Sequence, residues 1–307
     1  MIFDISTPYA QKHKGQELSD LCSSIMRHRH YISCDSEGMD IIRASIEKHG
    51  STTQKELSLQ YKGFDISQEV RKYYSTIIVS DFSQEELNTL ISKDSKVLIE
   101  NGPYEWPIYQ NIIGTYGNDR RYKNLFRALK EAQKEGRISC LHGGGHTTYI
   151  RIIEQNNQAD YRNVFQHKAC IVFDRDTDDA TSFDKEKNPL FRFLCGKDSS
   201  TLTNNDIYGL NQQGYIWHAW YKRTIENYFP DRQFSNIGVD TSSIPTDSLM
   251  RDYYKFGNLP QYDKNKLKDL KEGMSRSDYE NGLKHFIVND EDISELQLFL
   301  LKLVKII

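Results

Sequence analysis

The chain has 307 residues, of which 37% are hydrophobic, 27% charged and 12% aromatic; this excludes a disordered chain and fits a folded protein of about two domains. Its formal net charge of −3 leaves no broad basic footprint, so any nucleic-acid contact must come from a local cationic patch or a partner. No apolar run approaches the ~20 residues of a membrane span, the first residues lack a signal-peptide core, and five scattered cysteines without a CxxC pair suit reduced thiols, so a cytoplasmic protein without membrane contact is expected.

Residues 1–92 read as an N-terminal α/β accessory domain. Residues 16–29 place Leu18, Leu21, Cys22 and Ile25 at helical spacing. Residues 30–34 read as a short strand, 39–49 as a helix and 74–80 (YSTIIVS) as a strand. His28 and His30 form a small basic cluster read as a solvated helix end. Ser83 caps a helix running to residue 91, with Glu85 and Glu86 at its positive end.

Residues 93–230 alternate apolar strands with helices. KVLIE (96–100) is a strand, 121–135 an amphipathic helix stopped by Gly136, and RISCL (137–141) a second strand. Residues 147–155 read as a helix, ACIVF (169–173) as a third strand and 213–220 as a fourth. This order predicts an α/β fold with a mostly parallel sheet covered on both faces. Residues 231–307 read as a mostly helical C-terminal region closed by an apolar helix over 293–307.

Open parallel sheets place their sites at strand ends. Glu100 ends the first strand of this region, and Asp174 and Asp176 follow the third. If residues 174–176 are extended, the two aspartates point to one side. Carboxylates crowded together repel one another unless a cation lies between them, and oxygen ligands select Mg²⁺ or Mn²⁺.

VLIENGPYEW (97–106), SCLHGGGH (139–146) and IVFDRDTDD (171–179), in this order, resemble the TOPRIM domain of topoisomerases, primases and related nucleases. YKRTIENYF (221–229) is similar to a segment of the OLD-like (overcoming lysogenization defect) branch, which includes standalone anti-phage effectors such as those of PARIS systems. The resemblance implies a TOPRIM-like sheet, Mg²⁺- or Mn²⁺-dependent cleavage of DNA or RNA, and a role in defence against phage. It implies Glu100, Asp174, Asp176 and Glu226 as catalytic and metal-binding residues, with Glu100 also a general base. It implies Gly143, Gly144 and Gly145 as the turn that lets the chain pass close to the site. Where the family has an acid four residues after its glutamate, this chain has Glu105 one residue later, either a metal ligand or a cap of the following helix. A lysine beyond the fourth strand is also implied, with Lys222 and Lys255 both available. OLD-like domains work with ABC-type ATPases; this chain has no phosphate-binding GxxxxGK[ST] loop, so an ATPase partner would be a separate protein. A homo-oligomer is compatible with all of this.

Other readings stand beside these. Residues 174–176 can be an ordinary strand-end turn, and the glycines a flexible turn or a phosphate cradle. Cys140, His142 and His146 invite zinc, although a glycine run cannot align histidines on a helix. Glu226 can pair with Arg223 on one helical face. Asp178 is a reserve ligand, and Asp35, Glu37 and Asp40 could form a second acidic site. The functional alternative is a catalytically degenerate TOPRIM module that binds nucleic acid or a partner.

Overall fold

The computed structural model describes all residues except Asp65, Ala180, Asn211 and Gln213. It is an α/β protein whose parallel sheets are flanked by helices. Two units form: Met1–Asp94 with Asn156–Lys168 and Lys305–Ile307, and Ser95–Gln155 with Ala169–Val304. Residues 231–304 therefore group with residues 95–155.

In the first unit, β1 (Ile2–Asp4), β2 (Tyr31–Ser33) and β3 (Thr76–Ile78) make a parallel sheet in the order β2-β1-β3. The helix Gln16–Arg27 buries Leu18, Leu21, Cys22 and Ile25, the stripe its spacing predicts. Ser83 and Glu86 cap the helix Gln84–Ser92 reciprocally. His30 corrects the solvated reading: it is buried, with Nε2 3.1 Å from the Ile91 carbonyl.

In the second unit, β4 (Ser95–Ile99), β5 (Ile138–His142), β6 (Ala169–Phe173) and β7 (Ile216–Ala219) form a parallel sheet in the order β5-β4-β6-β7. Every residue of β6 and β7 is buried, as an apolar run covered on both faces requires. Of the fourth strand expected over residues 213–220, Gln213 lies outside the described residues, and the strand itself begins at Ile216. Because β4 pairs with both β5 and β6, the winding reverses between β5 and β6. The carboxyl ends of β4 and β6 thus flank a topological switch point.

Among the elements that were not expected are a long helix and a hairpin. The helix Gly102–Tyr116 follows Glu100 directly despite Pro103 and Pro107; Pro103 is tolerated in the first turn, whereas Pro107 removes one internal hydrogen bond. An antiparallel hairpin, β8 (His285–Val288) and β9 (Glu291–Ser294), interrupts the region read as mostly helical. Ile293 pairs with Phe286 in that hairpin, so the last helix is Glu295–Ile306 rather than starting at residue 293. Lys302 within it is fully buried, and its ammonium donates to the carbonyls of Ile207 (2.5 Å) and Trp217 (2.7 Å). Among the described residues, no helix is long and apolar enough to cross a membrane.

Candidate functional site

The end of β4 is shaped by the glycine turn that follows β5. Gly143 and Gly144 donate their N–H groups to the carbonyls of Ile99 (2.7 Å) and Glu100 (3.0 Å). A Cβ at Gly143 would stand 2.1 Å from the Tyr149 ring, and Gly144 and Gly145 hold φ of +64° and +102°, conformations that glycine reaches without strain. Tyr149, fully buried, donates its hydroxyl to the Val172 carbonyl of β6 (3.0 Å). The turn is thus a backbone splint around Glu100.

Glu105 lies one turn into the helix that begins at Gly102. Its Oε1 accepts from the Asn101 N–H (2.9 Å) and its Oε2 from the Tyr109 hydroxyl (3.1 Å). It therefore fills the capping role, and it also belongs to the acidic cluster. Its carboxyl is pushed up to about 7, first by burial and further by Glu226 and Glu100, against the pull of its two donors.

Asp174, just after β6, is the centre of the cluster. Its carboxyl is raised well above the ordinary range, first by burial and then by Asp176, Glu105, Glu226 and Glu100. One oxygen accepts from the Ile225 N–H (3.2 Å). Glu226 is buried in a short 3₁₀ segment, Ile225–Tyr228, and accepts from the Tyr262 hydroxyl (3.0 Å). It is not paired with Arg223, whose guanidinium meets Asp178 instead; that contact also occupies the reserve ligand.

Asp176 departs from the expected geometry. Its φ is +60°, so residues 174–176 are not an extended stretch and the i, i+2 argument fails there. The backbone N–H groups of Arg175 and Asp176 both donate to the Arg223 carbonyl (2.9 and 3.1 Å), and the Asp176 carboxylate is ion-paired with Lys187. Lys187 is fully buried and also donates to the Asp174 carbonyl (2.5 Å). A buried ammonium needs such partners.

The lysines suggested by sequence face elsewhere. Lys222 pairs with Asp252 (2.7 Å), and Lys255 is exposed. Lys264 is the one that senses the cluster: burial pulls its pKa down, but Glu226, Asp174, Glu100 and Asp176 together outweigh this and leave it raised. A further residue that sequence reasoning missed is Glu295, fully buried at the start of the last helix. It accepts from the Tyr221 N–H (2.6 Å) and the Tyr228 hydroxyl (2.5 Å), clamping both ends of the segment that carries Glu226. Only long-range contacts reveal Lys187, Lys264 and Glu295; none stands in a recognisable motif.

The donor set is entirely oxygen, which fits Mg²⁺ or Mn²⁺, and the repulsion that raises Asp174 is what a cation would relieve. Among the described residues, however, no group of three or more His, Cys, Asp or Glu is already positioned to hold a metal ion. Asp176 is turned to Lys187, so closing on a cation requires side-chain movement. The zinc reading gains nothing: His142 Nδ1 accepts from the Gly102 N–H (3.2 Å). Compared with known protein families, with curated proteins and with solved structures, the chain gives no match.

Proposed function

We propose that this chain is a Mg²⁺- or Mn²⁺-dependent nuclease of the TOPRIM type, cleaving phosphodiester bonds of DNA or RNA. The observation that carries the reading is the position of Asp174: a buried carboxyl at a switch point, raised first by burial and then by Asp176, Glu105, Glu226 and Glu100. Burying Asp174 among other acids is costly unless a cation is used there.

In this reading Glu100, Glu105, Asp174, Asp176 and Glu226 hold the metal, which would supply Lewis acidity toward phosphate and a more acidic bound water. Glu100, at the strand end beside the glycine turn, accepts the proton of the attacking water. The Ile225 N–H and the Tyr262 hydroxyl fix Asp174 and Glu226. Lys264, exposed at the rim, offers positive charge to the scissile phosphate. Lys187 holds the Asp176 carboxylate by an ion pair. The role in anti-phage defence and the separate ATPase partner follow from the resemblance of the motifs and are part of the same proposal, as is the cytoplasmic location that the unpaired cysteines suggest.

One observation favours the second reading, a degenerate binding module: Asp176 is already neutralised by a buried lysine. Incubating the protein with plasmid, single-stranded DNA and tRNA, with Mg²⁺, Mn²⁺ or EDTA, separates the two. Cleavage that needs metal and is lost in Glu100→Ala and Asp174→Ala supports the nuclease. No cleavage under any condition, with retained nucleic-acid binding, supports the module.

A further inference from the structure

A cavity of about 610 Å³ opens within the second unit, lined in part by Arg175, Phe183, Tyr208, Tyr221, Lys284 and Phe286. This is the size of ordinary small-ligand sites, ~300–1,000 Å³. None of the five clustered carboxylates lines it, and among its described lining residues there is no acid. Arg175, the residue between Asp174 and Asp176, does line it. The cavity and the acidic cluster therefore share one short stretch of backbone.

Aromatic faces and two cations form one part of the wall. Phe286 stacks on Tyr208 with ring centroids 3.9 Å apart and planes 18° from parallel. The Arg175 guanidinium sits 4.1 Å from the Phe183 ring centre and 5.6 Å from that of Tyr221. It is held there by bonds to the Ser182 carbonyl and the Tyr208 hydroxyl, both 2.8 Å. Lys284 is exposed at the mouth, its ammonium 5.3 Å from the Tyr221 ring centre. Of the other groups on the wall, His285 has Nδ1 3.1 Å from the Asp292 carboxylate, and Asn204 and Asn205 add amides that can donate and accept.

A ligand that matches this wall is planar, bears an anionic group on one side, and has polar edges. We propose that the cavity binds a nucleotide, its base against the Phe286 and Tyr221 rings, its phosphate at Lys284 and its base edge or sugar toward the two asparagines. Aromatic rings stack any base, and a flexible lysine suits a phosphate as a point charge. The same chemistry is offered by a free mononucleotide and by one nucleotide of a strand. The proposal does not depend on the acidic cluster being catalytic.

Binding is tested on the full chain in EDTA, so that metal at the acidic cluster does not contribute. Titration calorimetry with AMP, GMP, CMP and UMP, and with a short oligodeoxythymidine, gives the affinity. Phe286→Ala and Lys284→Glu alter partly or fully exposed side chains, and circular dichroism checks their folding. Saturable binding weakened about tenfold or more in each variant, the loss of one stack or one charge contact, and unchanged in Glu100→Ala supports the proposal. Saturation by mononucleotides identifies a free-nucleotide site; saturation by the oligonucleotide alone identifies a strand subsite. No saturation by any probe at millimolar concentration overturns it, as does binding indifferent to both variants or lost in Glu100→Ala. Metal-dependent cleavage without such binding overturns the pocket alone, and binding without cleavage overturns the nuclease alone.

Discussion

Asp4 ends one strand of the first sheet and Asp35 follows another, much as Glu100 and Asp174 follow strands of the second, yet the two pairs meet opposite surroundings. Asp35 caps the helix Ser36–His49, accepting from the Gly38 N–H (2.7 Å) and from the Thr7 hydroxyl. Those bonds, Thr7 first, hold its carboxyl below the usual range. Asp4 lies 3.6 Å from the Arg71 guanidinium. Asp174 has one backbone donor and four carboxylate neighbours, and its carboxyl is raised. An acid at a strand end is thus explained structurally when donors use its lone pairs. It becomes a candidate for chemistry when other acids surround it. By this criterion Asp35, of the suggested second acidic site at Asp35, Glu37 and Asp40, is a helix cap.

The sharpest way to break the comparison is activity. Asp174→Ala and Glu100→Ala should each reduce metal-dependent cleavage by at least about a hundredfold, more than outer partners of metal ligands usually cost, while Asp35→Ala leaves the rate per folded molecule unchanged. A gel assay of cleavage rates decides this; equal losses in Asp35→Ala and Asp174→Ala would erase the distinction. Next in size, Glu295→Gln should lower cleavage by roughly tenfold and weaken metal affinity, because the clamp on the Glu226 segment loses its charged acceptor. Metal titration of the variant checks it.

Stability should move in opposite directions at the two sites. Asp35→Ala removes a cap and should lower the thermal midpoint by a few degrees. Asp174→Asn in EDTA replaces a carboxyl that burial and its acidic neighbours keep from ionising with a neutral amide, and should raise it. Paired melting curves settle the signs. A further effect is in pH. Glu105 has a folded value of about 7 against an ordinary value of 4.5, so between these pH values the folded state holds the extra proton. Metal-free protein should therefore lose stability as pH rises from about 4.5 to 7. The slope should flatten in Glu105→Gln, as measured by urea midpoints across that window.

Much of the second sheet was legible because its strands are short unbroken apolar runs. ACIVF can be little else when a polar turn follows at once, and all five residues are buried. The helix after Glu100 was hidden by its two prolines. The β8–β9 hairpin was legible in principle: Asn289 and Asp290, both at positive φ, are residues that favour such tight turns. The positions of Glu100 and Asp174 at strand ends could be read locally. The left-handed turn at Asp176 and its pairing with Lys187 could not, since both depend on residues distant in sequence meeting in space.

The Glu295 clamp has a consequence in time. Its carboxylate lies 74 residues after Tyr221 and 67 after Tyr228 in sequence. At synthesis rates of ~5–20 residues per second, those partners leave the ribosome roughly 3–15 s before the residue that fastens them. During that interval the segment bearing Glu226 lacks its buried anchor. The acidic cluster is therefore fastened only after Glu295 has been made.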